Sequence, residues 1–248
     1  NWSYDHTGTT LSAGSYSITA TAQDLAGNTS VASSALSVTV DTAAPAAPAV
    51  TAITDDTGTA SDGITNDNQL MISGTAEANS SVEVFVDAVS IGTITADGSG
   101  NWSYDHTSTT LADGSYSVTA SATDTSGNVS ATSSALSITV DTGTPAAPAV
   151  TAITSDTGTA ADGLTSDNSL LISGTAEANS SVEVFIDTVS IGAATTDGSG
   201  NWSYDHTGTT LADGSYSLTA IASDLAGNAS AVSSVYSITV DAGVPVAP

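Results

Sequence analysis

Apolar side chains alternate with polar ones in short runs along the chain. Val82, Val84 and Val86 form one such run, and Trp102 with Tyr104 another. Tyr116, Val118, Ala120 and Ala122 form a longer one, and Leu136, Ile138 and Val140 close the series. A period of two puts one set of side chains on a buried face and its neighbours in water, so each run predicts a half-buried strand. Ala49–Thr54, Leu70–Thr75 and Ser90–Ala96 are further strand candidates. Gly, Asp and Asn separate the runs, and no stretch keeps a helical period. Seven or so short strands in ~100 residues predict an all-β fold, an immunoglobulin-like β-sandwich. The turn sequence LADGSY, from Leu111 and again from Leu211, precedes a tyrosine at the start of the longest strand. There a tyrosine corner is expected, the hydroxyl bonding back to the backbone.

The pattern repeats. NWSYDHT begins at Asn1, Asn101 and Asn201, and ISGTAEANSSVEVF begins at Ile72 and Ile172, a period of 100 residues. A fixed period of this length marks a tandem array. The proline-rich stretches from Val40 and Val140 are the natural boundaries, because proline stiffens a linker and removes amide donors. On that phase, 41–140 and 141–240 are complete domains. Residues 1–40 are the C-terminal part of another, and 241–248 are linker and the start of the next. The domains are expected to lie in line as a rod. Residues 1–40 carry only the last strands of a sandwich, with Trp2, Tyr4, Tyr16 and Ile18 uncovered. They are expected to be ordered only when strands from elsewhere complete them. With neither a leader peptide nor an initiating Met, the sequence reads as an excerpt from a longer protein.

Charge narrows the function. The chain has 26 acidic residues and no Lys or Arg, a net charge of −26. Nucleic acid and anionic membrane surfaces both call for basic side chains, so neither is an expected partner. High charge can prevent folding, but 40% of the residues are hydrophobic and patterned, which argues for folded domains. There is no cysteine, so stabilisation comes from elsewhere, and bound metal is the obvious candidate. No apolar run reaches the ~18 residues of a membrane span.

The ordered set TAITDDTG, SGTAEANSSVEVF, GNWSY, LADGSY, TDTSGN and ITVDTGTPAAP resembles the bacterial Ig-like repeats of giant type I-secreted adhesins, the RTX and biofilm-associated kind. The resemblance covers the whole chain. It implies a secreted, cell-surface location and a spacer role, with Ca²⁺ at or near domain junctions. It also implies neighbouring repeats as partners and ligand-binding domains outside this segment.

Strand direction indicates where acids could gather. The loop after the first strand holds Asp55, Asp56, Asp62 and Asp67 and lies at the far end of its domain. Its copy keeps Asp156, Asp162 and Asp167 but has Ser155 in place of Asp55. Asp41, Glu77, Asp124 and Asn128 fall at the near end, copied as Asp141, Glu177, Asp224 and Asn228. Ca²⁺ takes six to eight oxygen ligands of these types. The competing role is local, since Asp and Asn cap tight turns.

His6, His106 and His206 each follow Asp, one per repeat, and are expected at strand ends rather than in a catalytic site. No enzyme signature is present. The alternative to an extender is a module that binds glycan, ice or a host protein itself, and a glycan site would need exposed aromatic residues. One consequence is purely compositional: trypsin has no site. The denatured chain should stay intact by mass spectrometry after digestion with pure trypsin.

Overall fold

The computed structural model describes residues 1–159 and 162–244. Residues 245–248, half of the segment expected to begin another repeat, lie outside them. The regular structure is all β. The leading segment holds β1 (Gly14–Ile18) and β2 (Leu36–Val40). Then come β3 (Ala49–Ile53), β4 (Ile64–Thr65), β5 (Met71–Thr75), β6 (Ser81–Val86), β7 (Val89–Thr95), β8 (Asn101–Asp105), β9 (Gly114–Thr123) and β10 (Leu136–Val140). The same succession recurs as β11 (Ala149–Ile153), β12 (Leu164–Thr165), β13 (Leu171–Thr175), β14 (Ser181–Ile186), β15 (Val189–Thr195), β16 (Asn201–Asp205), β17 (Gly214–Ser223) and β18 (Tyr236–Val240).

Two compact units divide the chain. One comprises residues 1–52, 71–105 and 117–136, the other 53–70, 106–116 and 137–248. The acidic loop 55–68 therefore belongs to the same unit as residues 141–240.

That second unit contains a whole sandwich. One sheet is β11-β13-β16 and the other β12-β18-β17-β14-β15. All pairs are antiparallel except β12 with β18, where Leu164 faces Thr239 and Thr165 faces Val240 in parallel. The alternation predicted from the sequence fills the space between the sheets. Val182, Val184 and Ile186 pack with Leu170, Ile172, Trp202, Leu218, Ala220 and Ile238. Trp202 lies across Gly174, where an added Cβ would overlap both the Ala149 carbonyl oxygen and the indole. The indole Nε1 of Trp202 is buried without a hydrogen-bond partner. That omission costs about 1–3 kcal/mol. Burying some 200 Å² of ring at ~25 cal/mol/Å² returns roughly 5 kcal/mol, so burial wins.

In the first unit, β6 pairs with β9 in the register Val84↔Ala120 and β5 with β8 in the register Gly74↔Trp102. The copies read Val184↔Ala220 and Gly174↔Trp202. The tyrosine corner is present three times: Tyr16, Tyr116 and Tyr216 donate to the carbonyls of Ser12, Ala112 and Ala212 at 2.8, 2.8 and 2.9 Å.

Two elements differ from the alternation pattern. β4 and β12 interrupt the acidic loop with two residues each, too short for a period to register. In residues 1–40, β1 and β2 form an antiparallel pair, but Trp2 and Tyr4 are in no strand. Trp2 is 77% exposed where Trp102 is 4%. No described strand does for Trp2 what β5 does for Trp102.

Gly174→Ala should overpack the sandwich and lower its stability by about 1–3 kcal/mol. A reduced denaturant midpoint with an unchanged slope would show it.

Candidate functional site in the acidic loops

After β9 the chain turns through Asp124–Asn128. Asp124 Oδ1 accepts the amides of Ser126 and Asn128, both at 2.8 Å, and Oδ2 accepts Asn128 Nδ2 at 2.8 Å. These bonds, the Asn128 side chain foremost, hold the Asp124 carboxyl below its ordinary range. Asn128 Nδ2 also donates to the Asp41 carbonyl at 3.2 Å. The copy repeats this: Asn228 Nδ2 donates to Asp224 Oδ2 at 2.9 Å and to the Asp141 carbonyl at 2.8 Å. The structure thus brings Asp41, Asp124 and Asn128 together, and likewise Asp141, Asp224 and Asn228. Glu77 and Glu177 act here through their backbones, each carbonyl accepting the hydroxyl of Ser80 or Ser180 at 2.7 Å.

Asp141 is bound from both sides within the second unit. Its amide donates to the Thr65 carbonyl at 2.9 Å, while its carbonyl receives Asn228. Its Oδ1 accepts the Gly143 amide at 3.0 Å. The next residue is held too, Thr142 N and Oγ1 both donating to Asp113 Oδ1 at 3.0 and 2.8 Å. Pro145 and Pro148 are buried. Asp113 was not among the residues singled out from the sequence. Its signal was available, since LADG recurs with Asp213, which accepts the Ala242 amide at 2.9 Å.

In the acidic loop the carboxylates are spread over separate turns. Asp62 Oδ1 accepts the Ile64 amide at 2.8 Å and Asp67 Oδ1 the Gln69 amide at 2.9 Å. Asp56 Oδ2 accepts the Ser61 amide at 2.7 Å. Asp55 takes a left-handed conformation at φ 57°, and its carbonyl accepts Thr65 Oγ1 at 2.6 Å. Ser155 does the same at φ 63°, its carbonyl accepting Thr165 Oγ1 at 2.6 Å. The backbone role therefore survives the change of side chain. Asp162 and Asp167 cap the Leu164 and Ser169 amides, both at 2.9 Å. Asp156 and Asp162 both act on Tyr236, whose hydroxyl pKa is raised by burial and then by their charges.

Among the described residues no three Asp, Glu or His side chains form a group able to hold a metal. Asp56 Oδ1 is buried without a hydrogen-bond partner, and a carboxylate oxygen so placed lacks the compensation that burial demands. A carboxylate with loop carbonyls is the donor type that suits a hard ion such as Ca²⁺.

The histidines lie past the strand ends, as their position after the alternating pair implies. His106 N donates to the Leu70 carbonyl at 3.0 Å and His206 N to that of Leu170 at 2.9 Å. Trp102 and Trp202 are 4% and 3% exposed, so the complete repeats offer no tryptophan platform for a sugar. Among the described residues no helix is long and apolar enough to cross a membrane.

The profile of the family described as bacterial Ig-like domain matches residues 1–42, 44–142 and 144–242. Among solved structures, the fibronectin(III)-like modules of Clostridium thermocellum CbhA are similar at 20% identity, over 76% of this chain and 94% of that one, with a TM-score of 0.46. A tetra-tandem repeat from the extending region of a large adhesion protein is 25% identical over 94% of this chain, which spans 58% of that one, with a TM-score of 0.34. A 1.5-MDa bacterial ice-binding adhesin is 23% identical over 88% of this chain and 71% of its own, with a TM-score of 0.39. No curated protein matches the chain.

The turn geometry has a pH consequence. The Asp124 carboxyl has a lower pKa folded than unfolded, so its stabilisation is present at neutral pH. It is lost as pH falls through the lowered value. Asn128→Ala removes the leading cause and should move the Asp124 carboxyl titration upward, measured by carbon NMR.

Proposed function

Because the chain belongs to the bacterial Ig-like domain family over almost its whole length, we propose that it is an extender segment of a secreted bacterial cell-surface adhesin. In this reading it is a run of stiff spacer repeats that carries ligand-binding domains, located elsewhere in the protein, away from the cell. Its role is structural rather than catalytic, and its direct partners are neighbouring copies of the repeat. The observation that carries the reading is the recurrence of the joining parts. The Asn128–Asp41 bond and the Asn228–Asp141 bond repeat at the 100-residue period, together with the buried prolines that follow. Each repeat therefore grips the linker that leads into it, which favours a spacer over a string of loosely tethered modules. Copies of a spacer need only fold and join, so near-identity between them carries no cost.

Ca²⁺ is the second part of the proposal. It would be held through Asp56 and its copy Asp156 with carbonyl and water oxygens, and would supply positive charge that the chain itself lacks. Extracellular modules bind Ca²⁺ with dissociation constants of ~0.1–1 mM, so such sites fill outside a cell and stay empty within it.

The test uses the whole chain with Ca²⁺ and with chelator. At 10 mM Ca²⁺ and a dissociation constant of ~1 mM, mass action adds about 1.4 kcal/mol. For a domain of ~100 residues that raises the melting temperature by roughly 5–10 °C. Small-angle scattering should show a longer, narrower distribution of dimensions with Ca²⁺. Asp56→Asn should reduce the rise while leaving the chelated melt in place. Melts and dimensions that ignore Ca²⁺ would remove the cation from the proposal and leave a spacer stiffened by its linker bonds alone.

A further inference from the structure

The second compact unit contains a contact that no carboxylate makes. Thr57 Oγ1 donates to the Ala226 carbonyl at 2.6 Å and accepts the Asn66 amide at 2.7 Å. Beside it, Gly58 lies against the turn that follows β17: a Cβ on Gly58 would overlap the Leu225 carbonyl oxygen and come within 2.9 Å of the Gly227 amide nitrogen. The reverse also holds, a Cβ on Gly227 falling 2.9 Å from the Gly58 nitrogen. Two backbones touch here, with no room for a side chain on either.

The chain carries its own control. Thr157 and Gly158 occupy the same places in the second repeat, and there a Cβ on Gly158 would meet nothing within 4 Å. The Thr157 hydroxyl turns instead to Ser166 Oγ at 3.2 Å, while still accepting the Ser166 amide at 2.7 Å. On the other half of the contact, Ala226 is 1% exposed whereas its counterpart Ser126 is exposed. A Cβ on Gly127 also meets nothing within 4 Å. The closeness at Gly58 is therefore no property of the loop's own folding. It belongs to the meeting of a Thr-Gly step with the turn of another copy.

We propose that the Thr57–Gly58 step is a docking surface for the Leu225–Gly227 turn, a cation-independent joint between consecutive repeats. Glycine is required at 58 and 227 by the close approach, and a small residue at 226 by burial. The hydroxyl at 57 gives the contact direction. Asp141 holds the linker within the second unit, and this step ties loop 55–68 to the turn after β17 in the same unit. None of this uses a metal, so it stands or falls separately from the Ca²⁺ reading.

The test compares Gly58→Val with Gly158→Val in the whole chain, by backbone amide NMR and hydrogen exchange, with Ca²⁺ and with chelator. Gly58 and Gly158 have φ of +72° and +83°, so valine strains the local loop in both. Only Gly58→Val should shift the Leu225, Ala226 and Gly227 resonances, far away in sequence, and speed exchange over 224–228 by about fivefold, the loss of one ordinary hydrogen bond. Gly158→Val should leave those resonances at wild-type positions. If strain at 58 unfolds the first repeat, Thr57→Val against Thr157→Val makes the same comparison without positive φ. Resonances of 224–228 that ignore both 58 and 57, that respond equally to the 158 and 157 variants, or that respond only with Ca²⁺ present, would overturn the proposal.

Discussion

A chain with 26 acidic side chains and no Lys or Arg relies mainly on peptide amides, hydroxyls and side-chain amides to answer its acids. The structure is organised around that shortage. Asp24, Asp97, Asp124 and Asp197 each close a tight turn by accepting the amides two and four residues on. Their carboxyls are held below the ordinary range, foremost by the side-chain amides of Asn28 and Asn128 at Asp24 and Asp124 and by the backbone amides of Asn101 and Asn201 at Asp97 and Asp197. A carboxylate bonded to peptide amides is stabilised without a counter-ion. Acids that in most proteins would form salt bridges here shape loops.

The same economy governs the linker. The link from one repeat to the next is made by the peptide of Asp141, its amide bonded to Thr65 and its carbonyl to Asn228. Its carboxylate is occupied locally by Gly143. Backbone-to-backbone and amide-to-carbonyl bonds are indifferent to salt in a way that ion pairs are not. A linker held by such bonds keeps its connections across changing ionic strength.

The sequence determined the sandwich. Period-two alternation located β6, β8, β9 and β10, because burial between two sheets leaves its mark at each second residue; β3, β5 and β7 were strand candidates without that argument, and β4 and β12 were not located. It also determined the tyrosine corner, since a hydroxyl four residues past a tight turn can reach back only to that turn. Strand direction placed Asp41, Glu77, Asp124 and Asn128 at one end of the domain; hydrogen bonds join Asp41, Asp124 and Asn128, while the Glu77 carbonyl accepts Ser80.

What only tertiary structure decided lies in loops and between copies. In loop 55–68, Asp62 and Asp67 cap amides two residues on and Asp56 one five residues on; a linear string of Asp residues does not say which way each carboxylate turns. β4 and β12 pair in parallel with β10 and β18, strands some 75 residues later, and two residues are too few to show a period. Thr57 and Gly58 are indistinguishable from Thr157 and Gly158 as letters. The difference between them is contact with residues far along the chain, and a Thr-Gly step repeated in each copy carries no local trace of which neighbour it touches.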